Sequence, residues 1–151
     1  MELIMLGTGN AMVTRCYNTC FVLSSGEEYF LVDAGGGNGI FKQLEQAGVP
    51  FTGIREMFVT HAHIDHSGLL PLLYSHGFRG QIFATTATSE LCNIMLKDSA
   101  HIQMFEAEWR NRKARRAGLP EVVPLYDMDD AQGVLEHFVP CDYNKIIEIC
   151  D

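Results

Sequence analysis

No stretch of this chain constrains it more than Thr60-His61-Ala62-His63-Ile64-Asp65-His66. Three imidazoles and one carboxylate fall within six residues, directly after the apolar run Met57-Phe58-Val59. Neutral imidazole and carboxylate are the side chains that take zinc or a similar borderline metal at neutral pH. If Met57 to Thr60 is a strand and the motif occupies the loop at its C-terminal end, His61 and His63 are two apart and can point the same way. Asp65 and His66, on the tight turn beyond, can face a second point. Two ions about 3.5–4 Å apart could then share one activated water.

The surrounding pattern supplies the strand that this loop needs. Glu2 to Leu6 is a short apolar run closed by Gly7 and Gly9, and Thr19 to Leu23 is a second strand. Ser24-Ser25-Gly26-Glu27 reads as a hairpin turn and Tyr29 to Val32 as the returning strand, so the chain begins antiparallel. Asp33 follows at once, before Ala34-Gly35-Gly36-Gly37. Asn38 is placed to cap a helix carrying Ile40, Phe41 and Leu44, which Gly48 and Pro50 stop. Ile54 to Thr60 is the strand before the motif, 67–76 a helix with Leu69, Leu70, Leu72 and Leu73 in the core, and Gln81 to Ala84 a further strand. Strand and helix now alternate, which indicates an α/β fold.

A long helix is expected over about 88–117, ended by Gly118-Leu119-Pro120. Leu91, Ile94, Met95, Ile102, Phe105 and Trp109 recur at helical spacing and read as its core stripe. Near its end lie Arg110, Arg112, Lys113, Arg115 and Arg116, five of the chain's eleven basic residues. They either complement the helix macrodipole or, in particular Arg112, Lys113, Arg115 and Arg116, contact a phosphate backbone. A net charge of −8 argues against broad attraction to nucleic acid while leaving room for a local basic face. Met128 to His137 reads as a last helix and Lys145 to Ile149 as a last strand.

Length and a 47% hydrophobic content suit one core. The five cysteines, Cys16, Cys20, Cys92, Cys141 and Cys150, are scattered and contain no Cys-x-x-Cys pair, so free buried thiols are expected. The N-terminal residues show neither a signal-peptide pattern nor a membrane-spanning run, and the expected location is cytoplasmic.

His-x-His-x-Asp-His after a strand resembles the signature of the metallo-β-lactamase superfamily. Phe30-Leu31-Val32-Asp33-Ala34-Gly35-Gly36 resembles its strand ending in Asp-x-Gly, and Ser67-Gly68-Leu69-Leu70 the helix start after the motif. Residues from Gly77 to Thr88, Asp98-Ser99-Ala100-His101-Ile102-Gln103 and Pro124-Leu125-Tyr126 resemble the β-CASP branch, whose members are mainly RNA-cleaving zinc nucleases. Leu6-Gly7-Thr8-Gly9-Asn10 and Asn18 to Leu23 look more like ribonuclease Z-type or stand-alone members. The two characters meet at the histidine motif, as in a member of mixed character or in two related genes joined there.

The resemblance implies the N-terminal half of an αββα sandwich, with residues 1–151 forming a single partial domain. It implies up to two zinc ions, one on His61 and His63 and the other on Asp65 and His66, with Asp65 also orienting the nucleophile. Asp33 would support the histidine loop from behind the ligands. A complete family site adds a third histidine in a Gly-His context and a later bridging aspartate, and no residue after His66 stands in that context. His76, His101 and His137 fall in or beside helices and are poor candidates.

Three functions stay open. One is RNA phosphodiester hydrolysis in a complete parent protein, with this chain inactive alone. Another is hydrolysis of a small ester, thioester or lactam. The third is an incomplete, non-catalytic metal-binding unit that forms homo-oligomers, because half of a sandwich leaves a sheet face uncovered.

Overall fold

Two kinds of strand connection build the sheet. A computed structural model of the protein describes residues 1–10, 16–35 and 39–149. Strand β1 (Glu2–Gly7) pairs antiparallel with β2 (Cys20–Ser25), and β2 with β3 (Glu28–Val32). Gly26 makes the hairpin between them at φ +65°, a backbone region open to glycine at little cost. Helix α1 (Ile40–Gln46) then crosses over, and β4 (Ile54–Phe58) joins β3 in parallel. Two short helices follow, α2 (Ile64–Ser67) and α3 (Leu70–Ser75), and β5 (Gln81–Thr85) adds in parallel to β4. Helix α4 (Thr86–Ala117), helix α5 (Met128–Leu135) and strand β6 (Phe138–Cys141) complete a six-stranded mixed sheet in the order β1-β2-β3-β4-β5-β6.

Period-two alternation gives this sheet two different faces. Val22, Leu31, Met57 and Ile82 lie in register on adjacent strands and are fully buried in a core with Ile40, Leu44, Leu70, Leu73 and Val134. The alternate row, Met5, Phe21, Val32, Phe58, Phe83 and Val139, belongs to the opposite face. It is equally apolar, but Met5 is 46% exposed and Phe21, Phe58 and Val139 are only half-buried.

The expected elements form, with four corrections. First, the helix expected over 67–76 is two helices, because Pro71 in the first turn of α3 has no N–H to continue a longer one. Second, the last strand is β6 rather than 145–149. Pro140 weakens the strand pattern at 138–141, but an edge strand tolerates a residue without a donor. The capping role expected for Asn38, the glycines at 36–37 and Cys150 lie outside the described residues.

The third correction concerns the core stripe of α4. Leu91, Ile94, Ile102, Phe105 and Trp109 are exposed, between 48% and 68%. The buried line is instead Thr88, Cys92, Leu96, Ala100 and Ala107. All of these but Leu96 are small, and with Cys92, Leu96 and Ala100 in the core and large apolar residues outside, α4 is apolar on two sides. Thr85 caps the helix by accepting from Thr88 N at 3.3 Å, and Gly118 ends it in the left-handed conformation at φ +66°.

The fourth concerns the thiols, which are free at Cys16, Cys20, Cys92 and Cys141, with Cys16 exposed rather than buried. Burial, and then the nearby Asp33 charge, push the Cys20 thiol up to about 12. It therefore stays protonated and unreactive near neutral pH. Among the described residues no helix is long and apolar enough to cross a membrane.

Candidate metal centre

Parallel strands deliver the motif to one end of the sheet. Asp33 leaves the C-terminal end of β3 and Thr60 that of β4, and the backbone of the two segments is tied by Asp33 N–H donating to Phe58 O at 2.9 Å. Asp33 is 4% exposed and adopts φ +61°, a left-handed conformation that aspartate tolerates better than most residues. From there its carboxylate reaches the histidine loop. Oδ1 accepts from Thr60 N at 2.9 Å, and Oδ2 accepts from the Thr60 hydroxyl at 2.7 Å and from His66 Nδ1 at 2.7 Å.

These bonds fix the imidazole tautomers. The Thr60 hydroxyl spends its proton on Asp33, so at 2.9 Å from His61 Nδ1 it can only accept, and His61 carries its proton on Nδ1. His66 likewise places its Nδ1 proton on Asp33. In both rings the Nε2 lone pair is left for another partner. The His61 and His66 ring centroids lie 4.1 Å apart, and those of His61 and His63 lie 4.7 Å apart. His66 Nε2 stands 3.5 Å from Asp65 Oδ2.

The loop between these rings is stapled from below. Ser67, fully buried, donates to Ala62 O or His63 O, at 3.2 and 3.1 Å, and Ala34 N–H donates to His66 O at 2.8 Å. Thr60 and Ser67 therefore hold the motif although neither carries a role in the sequence reading. Their position on either side of the histidines, each with a short hydroxyl, was the available signal.

The structure thus brings Asp33, His61, His63, Asp65 and His66 together. In kind this donor set fits zinc: oriented imidazoles beside a carboxylate, with one ring backed by a buried aspartate. In place it is open, because among the described residues no three His, Cys, Asp or Glu are grouped so that they could together hold a metal ion. The remaining histidines point elsewhere. His76 Nδ1 lies 2.9 Å from Leu72 O, His137 Nδ1 lies 3.0 Å from Gly80 O, and His101 is exposed on α4.

The basic cluster stands apart, near the far end of α4, with Arg112 about 40 Å along the helix from Thr86 at 1.5 Å per residue. Arg110 pairs with Glu106, Arg112 with Glu108 and Arg115 with Glu121, at 3.6, 3.2 and 3.3 Å. Lys113 sits over the Trp109 ring at 3.6 Å.

Comparison with known proteins places this geometry. The chain is 28% identical over 140 residues to transcription termination factor FttA of Methanosarcina mazei, a match covering 87% of this chain and 19% of that protein. It is 30% identical over 117 residues to Ribonuclease TTHA0252 of Thermus thermophilus, covering 74% of this chain and 23% of that protein. The chain therefore spans about a fifth of the length of these relatives. A metallo-β-lactamase of Cronobacter sakazakii with a HARLDQ motif superposes with a TM-score of 0.51 at 23% identity, over 62% of this chain and 35% of that one, and shows the fold. The family model described as anti-Pycsar protein Apyc1 matches residues 1–104. With that match across most of its length, and with the metallo-β-lactamase fold around its histidine loop, the chain belongs to the anti-Pycsar protein Apyc1 family.

Proposed function

We propose that this chain is a single partial metallo-hydrolase domain whose histidine loop serves phosphodiester hydrolysis, with RNA as the substrate class in the longer proteins that contain it. The observation that carries this reading is the pair of Nε2 lone pairs on His61 and His66, each fixed by a hydrogen bond at its own Nδ1. His61 and His63 would hold one zinc, and Asp65 and His66 the other. Zinc at such a site lowers the pKa of water to about 7 and neutralises charge on phosphate oxygens. Asp33 and Thr60 keep the rings aimed, and Asp65, beside His66 Nε2, can orient an attacking water. The preference for RNA is supported by the relatives named as a ribonuclease and a transcription termination factor. A homo-oligomer is part of the same reading, because the half-buried sheet face around Phe21 and Phe58 is apolar.

The test is zinc-dependent cleavage of labelled single-stranded RNA beside a panel of esters, thioesters and lactams, with a full-length relative as reference. The expected result is cleavage of RNA alone, orders of magnitude slower than the reference because the ligand set is open, and lost in His66→Ala. Turnover of the small substrates in place of RNA would establish the ester reading. No turnover of either by the zinc-loaded chain or the reference would leave a non-catalytic metal-binding unit.

A further inference from the structure

Two arginines meet at the end of the sheet opposite the histidine loop, and among the described residues neither faces a carboxylate. Arg55 lies near the start of β4 and Arg79 just before β5. Both line an open cavity of about 400 Å³, together with Phe51, Thr52, His76 and Phe78. No acidic residue lines it. The chain carries 19 acids against 11 lysines and arginines, so two unpaired cations at one cavity run against its charge balance. At the basic end of α4, by contrast, Arg110, Arg112 and Arg115 each face a glutamate.

Arg79 is held in place by the fold itself. Its Nη1 donates to Tyr74 O and to Phe78 O, both at 2.6 Å, and its guanidinium carbon lies 3.8 Å from the centre of the Tyr74 ring. The opposite edge, Nε–H and Nη2–H, has no partner among the described residues. That edge is the parallel pair of donors that fits two oxygens of one phosphate. Arg55 is exposed and makes no hydrogen bond or ion pair among the described residues. Glu28 and Glu56 line a smaller cavity that Arg55 also borders, but they do not neutralise it. Glu56 belongs to the other face of the sheet, in register with Phe30 and Gln81. There burial, and then the charge of Glu28, push the Glu56 carboxyl up, the opposite of what a facing guanidinium does.

We propose that this cavity binds the phosphate group of a nucleotide, with Arg55 and Arg79 on the phosphate oxygens and the rings of Phe51 and His76 beside the base. The two rings belong to one cluster through Phe41, whose centroid is 5.1 Å from that of Phe51 and 4.6 Å from that of His76. His76 Nδ1, 2.9 Å from Leu72 O, carries its proton toward that carbonyl, which can only accept. Its Nε2 is left to bond a base, and Thr52 adds a hydroxyl at the rim. The cavity is of a size that takes a small molecule rather than a bare ion. From Arg55 to Thr60 the chain runs about 17 Å, at about 3.3 Å per residue. One phosphate therefore cannot serve both this cavity and the histidine loop, and the cavity's role does not depend on bound zinc.

The test is titration of the full chain with inorganic phosphate, adenosine monophosphate, adenosine and a short single-stranded RNA, read by calorimetry and by backbone amide NMR shifts. Phosphate and adenosine monophosphate should bind at millimolar concentration or below and shift the amides of Arg79 and Gly80, whereas adenosine should not bind. Arg55→Gln and Arg79→Gln should each weaken binding about tenfold or more, as expected for loss of a hydrogen bond to a charged group. Arg110→Gln, which removes the same charge from α4, should leave it unchanged. Arg79 also holds two carbonyls, so Arg55→Gln, at an exposed residue without such contacts, decides the outcome where Arg79→Gln disturbs the fold. Adenosine monophosphate bound as tightly as the RNA identifies a free nucleotide as the occupant. RNA bound far more tightly, and lost in Arg55→Gln, identifies a nucleotide within a strand. Phosphate that shifts only the amides of residues 60–67, or that binds Arg55→Gln as tightly as the unaltered chain, would overturn the site, as would adenosine binding as tightly as its monophosphate.

Discussion

Replacing Asp33 by alanine is expected to lower the stability of the fold by about 2–3 kcal/mol, the cost of leaving buried donors without acceptors, and to weaken zinc binding by about 10–100-fold. Three donors lose their acceptor at once: Thr60 N–H, the Thr60 hydroxyl and His66 Nδ1–H. Alanine is also less at ease than aspartate at φ +61°. Asp33→Asn separates the two effects. Asparagine tolerates the backbone and keeps one carbonyl oxygen, so stability should fall by only about 1 kcal/mol. Its amide cannot accept from every donor that the carboxylate serves, so His66 loses its fixed tautomer and zinc affinity should still fall. Chemical denaturation and zinc titration of both variants check this. An unchanged affinity in Asp33→Asn would remove Asp33 from the site.

The second large effect lies at the other end of the sheet. A Cβ added at Gly80 would stand 1.5 Å from Arg55 O and 2.4 Å from Arg55 C, both backbone atoms of β4. Neither can move without opening the pairing of β4 with β5, which carries Met57 against Ile82 in the core. Gly80→Ala should therefore cost about 3 kcal/mol or more, at the upper end of overpacking effects. Gly26→Ala is the matched control. Its φ is +65° and nothing lies within 4 Å of the added methyl, so only backbone strain of about 1 kcal/mol is expected. Equal costs at the two positions would show that the close approach at Gly80 is relieved by relaxation.

The histidine loop was legible because its residue types are scarce and its spacing is short. The elements on either side were legible because period-two and helical patterns run without interruption from Cys20 to Val32 and from Ile82 to Ala117. The orientation of α4 was not. A helix with large apolar side chains on one side and Cys92, Leu96, Ala100 and Ala107 on the other offers two stripes, and the size of side chains favours the wrong one. The small residues are buried because a close-packed interface needs little bulk, a property of the partner layer and not of the helix alone. The positions of Thr60 and Ser67 offered a signal, but what their hydroxyls bond to did not show in the sequence. Asp33 becomes a neighbour of Thr60 only when β3 and β4 lie side by side, and Ser67 reaches Ala62 O and His63 O only once the loop has curled back on itself.

The measurement that bears most directly on this account is the zinc content of the chain, purified without chelator or histidine tag, beside His63→Ala and His66→Ala. His63 is exposed, so its loss should leave the fold intact. About one to two zinc ions per chain are expected for a site of this donor type, with a loss of bound zinc in each variant. A folded chain that takes up no zinc, or one that holds it equally in both variants, would contradict the assignment of this loop as a metal centre.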